Sequence, residues 1–417
     1  MIQHIFKIIW VERKVNAWIL LELILVFCVL WFCIDYIYYT TKRYIQPKGF
    51  DIEHTYQIII GLKPESRNIG YSGDSTEIAR IKDHTWTIYD RISQYPAIEH
   101  VSYSSGAYPY TNTMSTSTFM IDSVTVEIRE KSVMPEFFDV FKINIIKGSN
   151  FTDANIMTED PVILSSGKDN LFGKKPAEEM DYLRTGSDTN KIVGVANKTK
   201  INEYEEYKCI RYKPMKRNGI AASYNELCVR VKPEADKDFI SKFSKDMRSQ
   251  LELGPYYLRS VSSIEKERHE FMKFAGYSSN FKSIYSVSAF LIINIFLGVI
   301  GTFWFRVQSR RSEIGLRMAL GASKSSVKKM FIGETILLLL IASIIATFIC
   351  LNITAADLLK NINVPIVNRE NEDVNIVQYC INYGITFLFL AIIAIGAVWY
   401  PAKRASDIQP TETLRDE

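Results

Sequence analysis

Four apolar runs constrain this chain more than any other feature of it. They lie near residues 16–38, 284–305, 331–352 and 379–400. Each holds about 22 residues, enough for a helix rising 1.5 Å per residue to cross a hydrocarbon core of roughly 30 Å. Residues 39–280 contain no such run and alternate short β-branched stretches with turn formers. The chain therefore reads as a membrane protein: four transmembrane α-helices with a large mixed α/β domain inserted between helices 1 and 2. A mean hydropathy near zero and 23% charged residues over 417 positions fit that division, because the apolar residues must be clustered to span anything.

Ahead of the first run, residues 1–15 set Ile5, Ile8, Ile9 and Trp10 against Lys7, Arg13 and Lys14, the pattern of a segment lying along a membrane surface. The first run is too long for the core of a signal peptide, and Asp35 to Tyr39 offers no small-residue cleavage site, so it reads as an uncleaved anchor with a tyrosine belt. Glu22 lies inside it. A carboxyl group at that depth is either paired structurally or functional, and both readings stay open.

The inserted 39–280 region has room for two subdomains. Strand-like runs occur at 55–60, 119–121, 124–128, 161–164, 191–195 and 227–231, and helix-like runs at 75–94, 135–141 and 236–253. Ser262 to Glu265 fits a capping box that opens a charged stalk helix through Phe274. Further on, Gly298 and Gly301 would permit a close helix neighbour.

Charge sets the expected orientation. Residues 306–330 hold seven Lys or Arg against the single acid Glu313, whereas 353–378 hold Lys360 and Arg369 against four acids. The positive-inside bias places 306–330 and both termini, including the 401–417 tail, in the cytoplasm, and places the 353–378 loop and the inserted domain outside. Within the basic stretch, Arg310, Glu313 and Arg317 share one face of a helical wheel and Leu316, Ala319 and Leu320 another. Gly315 marks a close contact or bend, and Gly321 a helix stop.

The run Arg311 to Ala322, RSEIGLRMALGA, resembles the "RREIGLRRALGA" signature of MacB-type and FtsX-type ABC transporter permeases. The ending Tyr400 to Arg415 resembles that family's C-terminus, and the phrases at 133–141, 147–151, 171–173 and 192–195 resemble the MacB periplasmic core domain. The resemblance implies an inner-membrane permease working by mechanotransmission, in which ATP-driven motion reshapes a periplasmic domain to export a drug, peptide or other substrate. It implies ATPase coupling through Arg310, Arg311, Glu313, Ile314, Gly315, Leu316, Arg317, Leu320, Gly321 and Ala322. A second permease, identical or not, a periplasmic adaptor, an outer-membrane channel and membrane lipid complete the expected partners. An FtsX-like regulator of cell-wall hydrolases and a lipoprotein-release permease share these features, and a membrane-anchored sensor is the alternative of another class.

About fifteen residues precede the first span, and no Gly-x-x-x-x-Gly-Lys-Ser/Thr loop occurs, so the ATPase, with its ATP and Mg, is expected in trans. No cofactor is expected in this chain. The net charge of +4 is not gathered into a basic, aromatic-studded face, which argues against nucleic acid. The five histidines lack metal-ligand spacing and no Gly-x-Ser-x-Gly elbow is present, which argues against catalysis. Of six cysteines, Cys28, Cys33, Cys350 and Cys380 sit in or beside apolar runs. Cys209 and Cys228 fall in the inserted domain, where an oxidising compartment would allow a disulfide and two free thiols are the other outcome.

Overall fold

The computed structural model describes Val11 and residues 13–64, 75–158, 160–186, 188–216, Ala222, 224–356 and 376–407. The expected surface segment before Val11, residues 357–375 of the 353–378 loop and the tail beyond Asp407 lie outside them. In chain order the elements begin α1 (Arg13–Ile45), β1 (Thr55–Leu62), α2 (Ser75–Ser93), β2 (Ile98–Ser105), β3 (Ser115–Ile121), β4 (Val124–Val133), α3 (Phe137–Val140) and β5 (Ile145–Gly148). Then come α4 (Asp153–Thr158), β6 (Pro161–Ser165), β7 (Leu171–Phe172), β8 (Lys175–Pro176), β9 (Tyr182–Thr185), β10 (Asp188–Ala196), β11 (Cys209–Pro214), β12 (Glu226–Val231) and α5 (Phe239–Met247). Last are β13 (Tyr256–Ser263), α6 (Ile264–Phe274), α7 (Tyr277–Ser309), α8 (Arg311–Ala319), α9 (Lys324–Ala355) and α10 (Ile376–Ser406). These elements form two compact units: Met1–Lys42 with Ser278–Glu417, and Arg43–Tyr277.

In the second unit one sheet carries nearly every strand, in the order β13-β1-β12-β2-β4-β11-β6-β10-β5, with β3 hairpinned on β4 and β9 on β10. Most neighbours are antiparallel, but β4 runs parallel to β11 and β6 parallel to β10. Central strands read as the physics of two-sided burial requires: β6, PVILS, is buried at every position. Over the β13 end, α2 and α5 insert Ile88, Ile92, Phe239 and Phe243 against Ile58, Leu227 and Val229. A second core gathers Phe137, Phe138, Phe141 and Tyr212, and a third Ile128, Leu164, Phe172 and Leu183. The unit thus has several cores strung along one continuous sheet.

Of the two outcomes open for Cys209 and Cys228, the sheet order agrees with free thiols. Cys209 on β11 and Cys228 on β12 are both free, and β4 and β2 run between their strands. Three strand spacings amount to about 14 Å, twice the Cα separation of about 7 Å that a disulfide tolerates. Cys228 is packed in the aromatic core instead. The capping expectation shifts by one residue: Ser263 is the N-cap of α6 and accepts from the Lys266 amide at 3.3 Å, while Ser262 Oγ donates to Glu267 at 2.6 Å.

In the first unit, α1, α7, α9 and α10 are each long and apolar enough to cross a membrane. Ile19, Leu23, Phe27 and Leu30 line one face of α1 at the three- and four-residue spacing of a helix stripe, in one core with Phe331, Leu338, Ala342, Ala346 and Leu390. Ala342, Ala346 and Cys350 repeat every four residues, the small-residue pattern that lets membrane helices approach closely. Buried polar groups find partners: the Asn382 amide donates to Asp35, and Ser343 and Tyr383 share a hydrogen bond of 2.9 Å. Pro401 does not end α10, which continues to Ser406. Its missing amide and the clash with the preceding turn are accommodated beyond the apolar run, where Lys403 and Arg404 complement the C-terminal dipole.

Candidate docking site

The segment after α7 folds into a helical corner. Arg310 precedes α8 and its carbonyl accepts the Ile314 amide at 3.0 Å. At the far end the Gly321 amide bonds to the Met318 carbonyl and the Ala322 amide to the Arg317 carbonyl, each at 3.0 Å. These are the two bonds of a Schellman stop, and Gly321 supplies the left-handed residue it needs, with φ at +97°. Two residues on, Ser323 caps α9 by accepting from the Ser326 amide at 3.2 Å. The helix stop expected at Gly321 is therefore immediately followed by the next helix start.

One side of α8 is fastened to its own unit. Ile314 is buried with Val307, Val327 and Phe331, and Gly315 is buried beside it. Arg310, expected on the wet face, is 7% exposed, and its guanidinium lies 3.3 Å from the Glu334 carboxylate on α9, itself 1% exposed. A helical wheel assigns every charge to water; here burial is made tolerable by an opposite charge 24 positions away. Glu334, in the fourth position of the third apolar run, was the residue that sequence reasoning passed over. A lone carboxyl group inside such a run was the available signal.

The other side is open. Leu316 is 53% exposed and Leu320 80%. Glu313 and Arg317 pair across one helical turn at 2.5 Å, and Arg317 also reaches the Met330 sulfur. Arg311 is the first residue of α8. Beyond the corner, the Lys324 ammonium sits 2.8 Å from Asp407, ties the start of α9 to the end of α10, and holds the Asp407 carboxyl below its ordinary range. Two apolar side chains flanked by a charged pair, on a helix gripped from behind, are left uncovered by the described residues.

Glu22 lies elsewhere. Its carboxylate packs against Gly298 of α7, where an added Cβ would stand 2.3 Å from Oε1; Gly301, by contrast, has open space around its Cα. The close approach expected at both glycines is used at the first. Among the described residues no cluster of His, Cys, Asp and Glu has the composition of a metal site.

The fold and this corner define a polytopic membrane protein that carries a large mixed α/β domain between its first and second spans and a short helix with an exposed apolar side after the second. Residues 285–410 match the family FtsX-like permease C-terminal. The chain is 24% identical over 323 residues to the macrolide export ATP-binding/permease protein MacB of Pectobacterium atrosepticum, covering 74% of this chain and 46% of that protein. It is 22% identical over 366 residues to the protein of the same name from Acinetobacter baylyi, covering 83% and 50%. The crystal structure of the periplasmic region of MacB from Actinobacillus actinomycetemcomitans covers 55% of this chain and 97% of its own, at 11% identity and a TM-score of 0.32. Residues 285–410 are thus FtsX-like permease sequence, the chain is similar to MacB over most of its length, and it spans about half the length of the curated relatives it matches.

Proposed function

We propose that this chain is the permease subunit of an ABC transporter and that α8 receives an ATPase subunit supplied in trans. One observation carries the reading: Leu316 and Leu320 are exposed on a helix whose opposite side is locked by Ile314 and by the Arg310–Glu334 pair. A docking helix must be exposed to bind and fastened to transmit, and this one is both. ATP and Mg belong to the ATPase; this chain contributes the docking surface and the spans that move.

On this reading the Arg310–Ser323 corner faces the cytoplasm with both termini, and the inserted domain lies in the periplasm of an inner-membrane protein. ATP-driven closure below would tilt the spans and reshape the inserted domain, and export would proceed from the periplasm without substrate crossing between the spans. A second permease, identical or related, would cover exposed side chains of α7 such as Phe290, Ile293 and Leu297, with lipid on the remainder. A periplasmic adaptor and an outer-membrane channel would receive the cargo.

The test is purification of the complex from native membranes with Leu316→Asp and Leu320→Asp combined. Because both side chains already face water, the fold should persist, and recovery of the ATPase should fall at least tenfold, equivalent to about 1.4 kcal/mol of lost binding or more. Undiminished recovery would refute α8 as the dock.

A further inference from the structure

The connection between β10 and β11, residues 197–208, has no regular secondary structure, yet its middle is among the most buried parts of the second unit. Thr199, Lys200, Asn202 and Glu203 are all buried. Loops ordinarily stay at the surface because their backbone groups and charges need water. Here the polar groups are spent on two other stretches of chain.

The first is the stretch leaving α1. Glu206 pairs with Arg43 at 2.8 Å, and the Lys200 ammonium donates to the Arg43 carbonyl at 2.5 Å. The Lys200 amide donates to the Lys48 carbonyl at 2.9 Å, the Tyr207 hydroxyl to Pro47 at 2.6 Å, and the Asn197 amide group to Gly49 at 3.0 Å. Gly49 is required there: its φ is +79°, and a Cβ would fall 1.9 Å from the Lys198 carbonyl oxygen. The second stretch leads into α7: buried Glu203 takes the Arg268 guanidinium of α6.

Between them stands Tyr204. Its ring lies 5.7 Å from Tyr44, in the last turn of α1, and 4.9 Å from Tyr277, the first residue of α7, inclined about equally to each at 30° and 31°. One side chain thus touches both chain segments that continue into spans, and the loop carrying it is anchored to the sheet through β10 and β11.

We propose that residues 197–207 form a clamp, with Tyr204 as its positioning residue, that keeps the end of α1 and the start of α7 together and delivers their joint movement to β10 and β11. The inference rests on the permease reading above. It adds that these two segments move as one lever and do not separate during the cycle.

The experiment uses the full chain with its ATPase in lipid nanodiscs, carrying Tyr204→Cys with Tyr277→Cys, and follows amide hydrogen exchange of β10 and β11 with and without ATP plus vanadate. Wild type should show nucleotide-dependent exchange in these strands. The double variant should lose that response when reduced and regain most of it when the two thiols are joined by a mild oxidant, in one and the same folded protein. Tyr204→Phe should respond like wild type. An equal response in reduced and oxidised forms, or loss of the response on joining the thiols, would overturn the clamp while leaving the permease reading intact. No nucleotide response in wild type would overturn both.

Discussion

At the residue scale the decisive pair is Arg310–Glu334. Two buried charges 3.3 Å apart gain little net stability over apolar replacements, but removing one strands the other. Glu334→Leu alone should therefore cost about 3–5 kcal/mol, whereas Arg310→Met combined with Glu334→Leu should recover most of it; thermal unfolding in detergent reads both, and equal losses would contradict the pairing. A second prediction comes from buried lysines of the inserted domain. Burial pushes Lys131, which donates to the Ala107 carbonyl at 2.9 Å, down to about 8, and burial with the neighbouring Arg43 charge does the same to Lys200. Unfolded, both amines hold their protons to about pH 10.4. From pH 8 upward these two amines therefore bind more protons in the unfolded chain, and their contribution to stability should rise. Burial also raises the Tyr103 and Tyr110 phenols, so above about pH 10 the unfolded chain loses protons first and stability should fall. The lysine contribution should thus rise between pH 8 and 10, where the Cys228 thiol, held up by burial, works against it, and Lys131→Met should flatten that rise. An unchanged rise in that variant would show that Lys131 is not its source.

At the scale of elements, α8 works because both ends are defined. Replacing Gly321, at φ +97°, by Ala forces a side chain into a backbone region that costs it about 1 kcal/mol or more. The corner between α8 and α9 should loosen, and ATPase activity of the assembled complex should drop several-fold with the ATPase still bound; full activity would mean the corner transmits nothing. The elements also show what was legible in advance. A span needs some twenty apolar residues in sequence, so α1, α7, α9 and α10 were readable directly, as was the helix at Arg311–Ala319 with its glycine stop. Its buried side was not, because the partner of Arg310 lies on another helix. The Cys209–Cys228 separation was hidden for the same reason: strand order β12-β2-β4-β11 is a tertiary fact. The β10–β11 clamp left no sequence signal, since Tyr204 has no local pattern that distinguishes it.

At the scale of the whole molecule, two facts meet. The 417 residues contain no phosphate-binding loop, and their FtsX-like part leaves an apolar helix face exposed. Together they support the proposed docking of an ATPase on α8. The account stands or falls on that partner, so the direct measurement is affinity purification of the intact chain from its native membranes in mild detergent, followed by identification of bound proteins and an assay of ATP hydrolysis. The account predicts an ATP-binding subunit at stoichiometric recovery and hydrolysis that follows it through the column. A chain that emerges without any ATPase and without hydrolysis would contradict it.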